Sequence, residues 1–284
     1  MINQNLHRQP VALDSALHRN MTLGVPITDW SVAKELNALF VAAVEFGDVC
    51  REFPIVFVRA GKEPDGSDAI APIAVLGLTQ NDNLYVSGER WRAQYMPAIL
   101  RMYPFCIARL DEEQFAICVD TSFSRTNEAG GQRVFEDDGK PAPLLDDMRQ
   151  RLETLEAEIQ RTRVVGKRLL ELDLLREMRF DATLPDGSQH TVDGFLTIDD
   201  KKATDLPEHV VAELHRSGML ALMHMHWVSL GNMRRLVDWH AERRAAAAPA
   251  ATACVFTGAT SVIGITGATA AALRLRTSSC AAQI

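Results

Sequence analysis

No stretch of the first 244 residues is apolar for long enough to cross a bilayer, since a helical span needs about 20 such residues. The N-terminal MINQNLHRQPVALDS has no apolar run of signal-peptide length. Together these absences predict a cytoplasmic protein that does not sit in a membrane. Cysteine is scarce: Cys50, Cys106, Cys118, Cys254 and Cys280 are odd in number, widely spaced and never in a Cys-x-x-Cys pair. That excludes a disulfide framework or thiolate zinc site by motif, and the five read as small core hydrophobes in a reducing compartment. A basic excess is also missing. The 30 Lys and Arg face 37 Asp and Glu, a net charge of -7, which argues against the broad footprint of a nucleic-acid binder.

The signatures of catalysis are lacking too. Ser87-Gly88 and Ser217-Gly218 have no Gly-x-Ser-x-Gly setting. No cysteine stands beside a histidine, and there is neither a Gly-x-Gly-x-x-Gly nor a Walker Gly-Lys-Ser/Thr. Gly130-Gly131 lies in a charged loop, and Asp137-Asp138, Asp146-Asp147 and Asp199-Asp200 read as solvated turn and cap residues. No catalytic residue, metal or cofactor is expected from motifs.

What is present is the composition of a globular protein, 47% hydrophobic and 24% charged over 284 residues. Residues 1–30 read as extended, wrapping structure. Residues 31–50 begin as a short helix capped by Ser31, after which FVAAVEF reads as strand or helix. PIVFVR (54–59) and APIAVLGL (71–78) are strands, with Asp65-Gly66 a turn between them. LYV after TQNDN is expected to pair with the second as a hairpin. Residues 89–102 read as a helix interrupted at Pro97, 104–110 and 114–120 as a hairpin, and 124–143 as an exposed loop.

The clearest periodicity lies in 144–178. Met148, Leu152, Leu155 and Ile159 form a stripe that shifts phase near Gly166 and resumes at Val165, Leu169 and Leu172. One long amphipathic helix, or two broken at Gly166, is predicted, packed on the protein's own sheet; a homodimeric coiled coil stays open as the alternative. RFDATL, Pro185-Asp186-Gly187-Ser188, QHTV and GFLTID form a small β unit. Residues 201–217 are a helix with Asp205 as N-cap and Pro207 in its first turn, ended by Gly218, and 219–242 are a last helix. From Ala245 onward the chain has no acid and only Arg274 and Arg276 as bases. The expected organisation is an α+β domain over 1–244, a twisted and mostly antiparallel sheet covered by helices, with an Ala/Thr/Gly-rich tail, disordered or weakly ordered, over 245–284.

Several segments together resemble the SapC family. They are PVALDSALHRN, AAVEF and REFPIVFV, then LYVSGERWRAQYMPAILRMYPF, then DGFLTIDDKKATDLPEHVVAELHRSGMLALMHMHWVSLGNMRRL, covering roughly residues 8–240 in order. The tail resembles nothing in the family. The resemblance brings no active site with it. It implies an accessory role in handling a small molecule, peptide or glycan, beside tryptophan-halogenase-like, cupin-like and TonB-dependent receptor proteins, and the family name suggests a surface-layer link.

Two groups of residues are candidates for binding. Trp91, Arg92, Tyr95, Arg101, Tyr103 and Phe105 put aromatic faces beside guanidinium groups, which can cradle a planar or anionic ligand. They are equally readable as core aromatics with solvated arginines, or arginines paired with Glu89, Asp111 or Glu112. His226, Ser229 and Asn232 form a polar helical ridge suited to a ligand or to a neighbouring strand. His224-Met225-His226 would present both imidazoles on one face only if it were a strand, and its surroundings read as helix. The expected function is that of a non-catalytic binding or accessory protein. An enzyme of unrecognised, metal-assisted type and a surface-layer-associated structural or secretion component remain the alternatives.

Overall fold

The computed structural model describes residues 2–109, 115–183, 189–247 and 273–276. Residues 2–30 run as a strap carrying β1 (Pro10–Ala12) and β2 (Thr22–Leu23). A 3-10 turn at Ser31–Ala33 leads to β3 (Ala38–Phe40), and a second at Ala43–Glu45 runs into α1 (Phe46–Val49). A hairpin of β4 (Ile55–Lys62) and β5 (Asp68–Val75) follows. The two-residue strands β6 (Val86–Ser87) and β7 (Arg90–Trp91) precede α2 (Ala98–Met102), β8 (Phe105–Arg109), β9 (Phe115–Asp120) and β10 (Gln132–Arg133). The long helix is α3 (Pro143–Glu171), after which β11 (Leu175–Thr183) and β12 (Gln189–Ile198) form a hairpin. The chain continues through α4 (Asp200–Thr204), α5 (Glu208–Arg216), α6 (Met219–Ser229) and α7 (Met233–Ala247), and β13 (Leu273–Arg276) pairs with β11.

This is an α+β fold whose described strand pairs are all antiparallel. The main sheet has the order β13-β11-β12-β4-β5-β3, and a smaller one the order β1-β9-β8. The helix α3 lies on β5 around Gly166 and on α2 and β8 nearer its start, burying Leu152, Leu155, Ile159 and Leu169, each contributing roughly 1.5–3 kcal/mol by leaving water. Gly166 marks the closest approach. A Cβ there would lie 2.3 Å from the carbonyl oxygen of Ile70, so only glycine lets the two backbones meet. Among the described residues no helix is long and apolar enough to cross a membrane.

Several sequence expectations are corrected. The helix from Ser31 is a single 3-10 turn, with the Asp29 carboxylate accepting the Ser31 N–H at 2.8 Å. FVAAVEF is divided between β3 and the turn into α1. LYV does not extend the β4–β5 hairpin. Asn83 takes the Tyr85 N–H on its side chain at 2.9 Å, leaving one bond from Leu84 to Leu76, and β6 turns to pair with β7. Of the two readings of the long helix the continuous one holds, since it runs unbroken through Gly166, but it ends at Glu171, not 178. Asp173 then adopts a left-handed backbone (φ 51), and β11 begins two residues later. The helix of 201–217 is two: Asp199 rather than Asp205 caps the first, accepting the N–H groups of Lys201 and Lys202, and Pro207 starts the second. A 3-10 segment at Leu230–Asn232 divides the last helix. The exposed loop of 124–143 buries Val134 and Phe135. The turn at 185–188, the 110–114 connection and most of the tail lie outside the described residues.

Candidate functional site

Residues 89–102 were expected to be helical; only 98–102 are. Two acids account for this. Glu52 accepts the N–H groups of Gln94 and Tyr95 at 3.0 and 2.8 Å. Glu45, 5% exposed, accepts those of Ala42 and Ala98 at 2.9 and 2.7 Å and the Tyr95 hydroxyl at 2.9 Å. Backbone donors satisfied by carboxylates have no need of helical partners. Pro97 lacks a donor and stands at the N-cap of α2, so the helix begins where its ring permits.

Arg101 follows three residues into α2 and is exposed. Its guanidinium meets the Tyr95 hydroxyl at 3.4 Å and lies 5.5 Å from the centre of the Tyr95 ring. Among the described residues no carboxylate lies within ion-pair distance of it. The Tyr103 hydroxyl donates to buried Asp120 at 3.1 Å. Asp120 also accepts the N–H groups of Arg8, Gln9 and Ser122 and the Ser122 hydroxyl. Burial, reinforced by Glu45 and Asp120, pushes the Tyr95 and Tyr103 phenols well above their ordinary pKa. Both phenols donate to a carboxylate.

Arg101 stands between two cavities along the first half of α3. One, of about 460 Å³, is walled by the strap (Val25, Pro26, Ile27, Trp30), by Met96 and by Leu144 and Met148 of α3. The other, of about 350 Å³, lies over Ala42, Val44 and Glu45. Arg101, Asp147 and Arg151 border both. Arg151 Nε sits 2.9 Å from Asp147 Oδ2, one helical turn back. Neither lining contains serine, cysteine or histidine. Their size and mostly apolar walls suit binding.

Of the other predicted aromatic and guanidinium residues, Trp91 and Arg92 lie elsewhere and Phe105 reaches the cleft. Trp91 donates its indole N–H to the Tyr95 carbonyl at 2.9 Å and stacks with Phe53 and Tyr85. Arg92 covers the Trp239 ring at 3.8 Å and reaches Glu242 at 3.6 Å. Phe105 is buried and borders the larger cavity with Tyr103.

The polar ridge of α6 faces strands, not this cleft. β12 and β4 pair only at Leu196 and Phe57. Two residues further along that register Ile198 and Ile55 stand opposite each other, and the His226 ring is inserted between them. Nε2 accepts the Ile198 N–H at 3.1 Å and Nδ1 donates to the Ile55 carbonyl at 2.9 Å. Ser229 accepts the Ile55 N–H and Trp227 donates to the Ile198 carbonyl. Asn232 donates to the carbonyls of Cys50 and Phe53. Burial lowers the His226 pKa to about 4. His224, on the same helix, is exposed. Among the described residues no cluster of His, Cys, Asp and Glu is placed to hold a metal ion.

Sequence reasoning brought Arg101 and Tyr103 to the cleft but missed Trp30, Asp147 and Arg151. Asp147 looked like a solvated cap residue. The only available signal was that Asp147, Arg151 and Leu155 recur every four residues on one helical face.

A family model described as SapC matches residues 13–236. No curated protein and no solved structure matches the chain.

Proposed function

The chain belongs to the SapC family, and from that premise and the geometry of the cleft we propose that it is a non-catalytic binding or accessory protein of the cytoplasm, holding a small molecule between the strap, α2 and the first half of α3. One observation carries this reading: Arg101 is a guanidinium without a carboxylate partner among the described residues, at the border of two cavities with largely apolar walls. Its donors are available to a guest, and the walls beside it offer the contact area that a small ligand needs. In the family setting such a protein would serve the proteins named with it by the resemblance, the tryptophan-halogenase-like, cupin-like and TonB-dependent receptor proteins, as a carrier or presenting partner.

The test is a metabolite screen by thermal shift on the full chain, repeated with Arg101→Ala. Hits on the wild type should weaken at least about tenfold in the variant, the loss expected when a charge-assisted contact worth about 1.4 kcal/mol or more is removed. The unliganded midpoint should stay within about 2 °C, because the residue is exposed and makes only a long hydrogen bond and a distant ring contact with Tyr95. A variant that fails to fold would make Arg101 structural and remove the proposal.

A further inference from the structure

Resting on that reading of the cleft, we infer that its guest is a small organic monocarboxylate: an acid group held at Arg101 and Arg151, and a compact apolar body in the cavity beneath the strap. The lining narrows the choice among a small molecule, a peptide and a glycan. A sugar presents hydroxyls on every side, and a site that holds one must return a hydrogen bond to most of them. Here both phenols are already spent, Tyr95 on Glu45 and Tyr103 on Asp120. Gln132 is the one uncharged polar side chain in the lining of the larger cavity besides Tyr103. The remainder of that wall is Val25, Pro26, Ile27, Leu144 and Met148 with their neighbours, which reward burial of carbon and return no hydrogen bond, and Trp30 adds a ring face and a single N–H, too few donors for the hydroxyls of a polyol.

Charge narrows it further. Two guanidinium groups border both cavities, but Asp147 shares both linings and lies 2.9 Å from Arg151. Glu45 and Glu158 line the smaller cavity as well. A dianion such as a phosphate monoester would bring its second charge towards these acids. A monoanion needs only what Arg101 has spare, a pair of parallel N–H donors that match the two oxygens of one carboxylate. In the larger cavity, whose lining sets two guanidinium groups against one carboxylate, a cation would be repelled.

The experiment uses an eight-carbon series below micelle-forming concentration: octanoate, 1-octanol and octylamine, titrated calorimetrically into the full-length protein. Octanoate should bind at least about tenfold more tightly than either of the others. Arg101→Ala should remove that preference, leaving octanoate no better than octanol. Met148→Trp, which fills the cavity, should abolish octanoate binding; Leu144→Trp does the same from the preceding turn if Met148→Trp does not fold. Equal binding of all three probes, abolished by either filling variant, would overturn the acid assignment while leaving the cleft a binding site. An octanoate preference that survives Arg101→Ala would overturn it as well, by placing the acid elsewhere. No octanoate binding overturns the ligand class, and the wider metabolite screen then decides separately whether the cleft binds anything.

Discussion

His226 does at the scale of one residue what a strand pair ordinarily does with two. Ile55 and Ile198 stand opposite each other but are too far along diverging strands to bond directly, and the imidazole accepts from one and donates to the other. Replacing it with leucine fills the space and strands a buried N–H and a buried carbonyl, each costing about 1–3 kcal/mol. His226→Leu should therefore lower unfolding stability by about 3 kcal/mol or more. His224→Leu, on the exposed face of the same helix, should change it by less than about 0.5 kcal/mol. Denaturant unfolding of the two variants checks this, and equal effects would mean that the bridge contributes nothing. The spacing of His226, Ser229 and Asn232 was readable from the sequence as one polar ridge. A neighbouring strand was one of the two readings, but which backbone the ridge faces was not legible, because its partners lie 28 residues away at Ile198 and about 170 to 180 away at Ile55 and Cys50. Pattern gives direction on a helix and says nothing of what stands opposite.

Between elements, the decisive contact is α3 on β5. Its apolar stripe announced the helix, and the phase shift near Gly166 looked like a break. The shift marks where the helix touches the sheet most closely, which no local rule distinguishes from a termination. Gly166→Ala separates the two. In an exposed helix alanine would stabilise by about 1 kcal/mol. Here its Cβ would stand 2.3 Å from the Ile70 carbonyl oxygen, and lifting a packed helix costs about 1–3 kcal/mol or more. A net loss of roughly 1–2 kcal/mol is expected, against a gain of about 0.5 kcal/mol for Val164→Ala, where the higher helix propensity of alanine acts at a side chain 67% exposed on the same helix. A more stable Gly166→Ala would show that α3 does not bear on β5 there. The end of the helix was misplaced for a related reason. Val165, Leu169 and Leu172 continue a helical period, but Asp173 turns the chain with a positive φ that aspartate adopts more readily than most residues. The cleft suffered the same loss, since Asp147 and Arg151 acquire meaning only from the strap laid across them.

Across the whole molecule, two of the three buried histidines, His7 and His226, tie distant parts of the chain to its response to acid. His7, in the strap, is 2% exposed; its Nδ1 accepts the Asn3 N–H at 3.0 Å, so the neutral ring carries its proton on Nε2. Among the described residues that nitrogen is buried without a hydrogen-bond partner. His226 is wholly buried near the other end of the domain. Burial lowers both pKa values from 6.5 to about 4; for His7 the nearby Asp120 opposes the shift without cancelling it. The sign follows directly. Above pH 6.5 both rings are neutral whether the chain is folded or not, and their full stability is present. Between 6.5 and about 4 the unfolded chain takes up two protons that the folded one refuses, so stability falls by up to about 2.7 kcal/mol per pH unit. Each ring accounts for roughly 3 kcal/mol by the time pH reaches 4. Carboxylates titrate mainly below pH 5, so the interval from 6.5 to 5 isolates the histidines. Urea unfolding at pH 7, 6 and 5 should show this slope, and His7→Gln should reduce it by about one proton while leaving the contribution of His226. Equal stability at pH 7 and pH 5 would mean that these rings are protonated, or solvated, in the folded protein. The strap and the strand bridge would then be held together by something other than neutral imidazole.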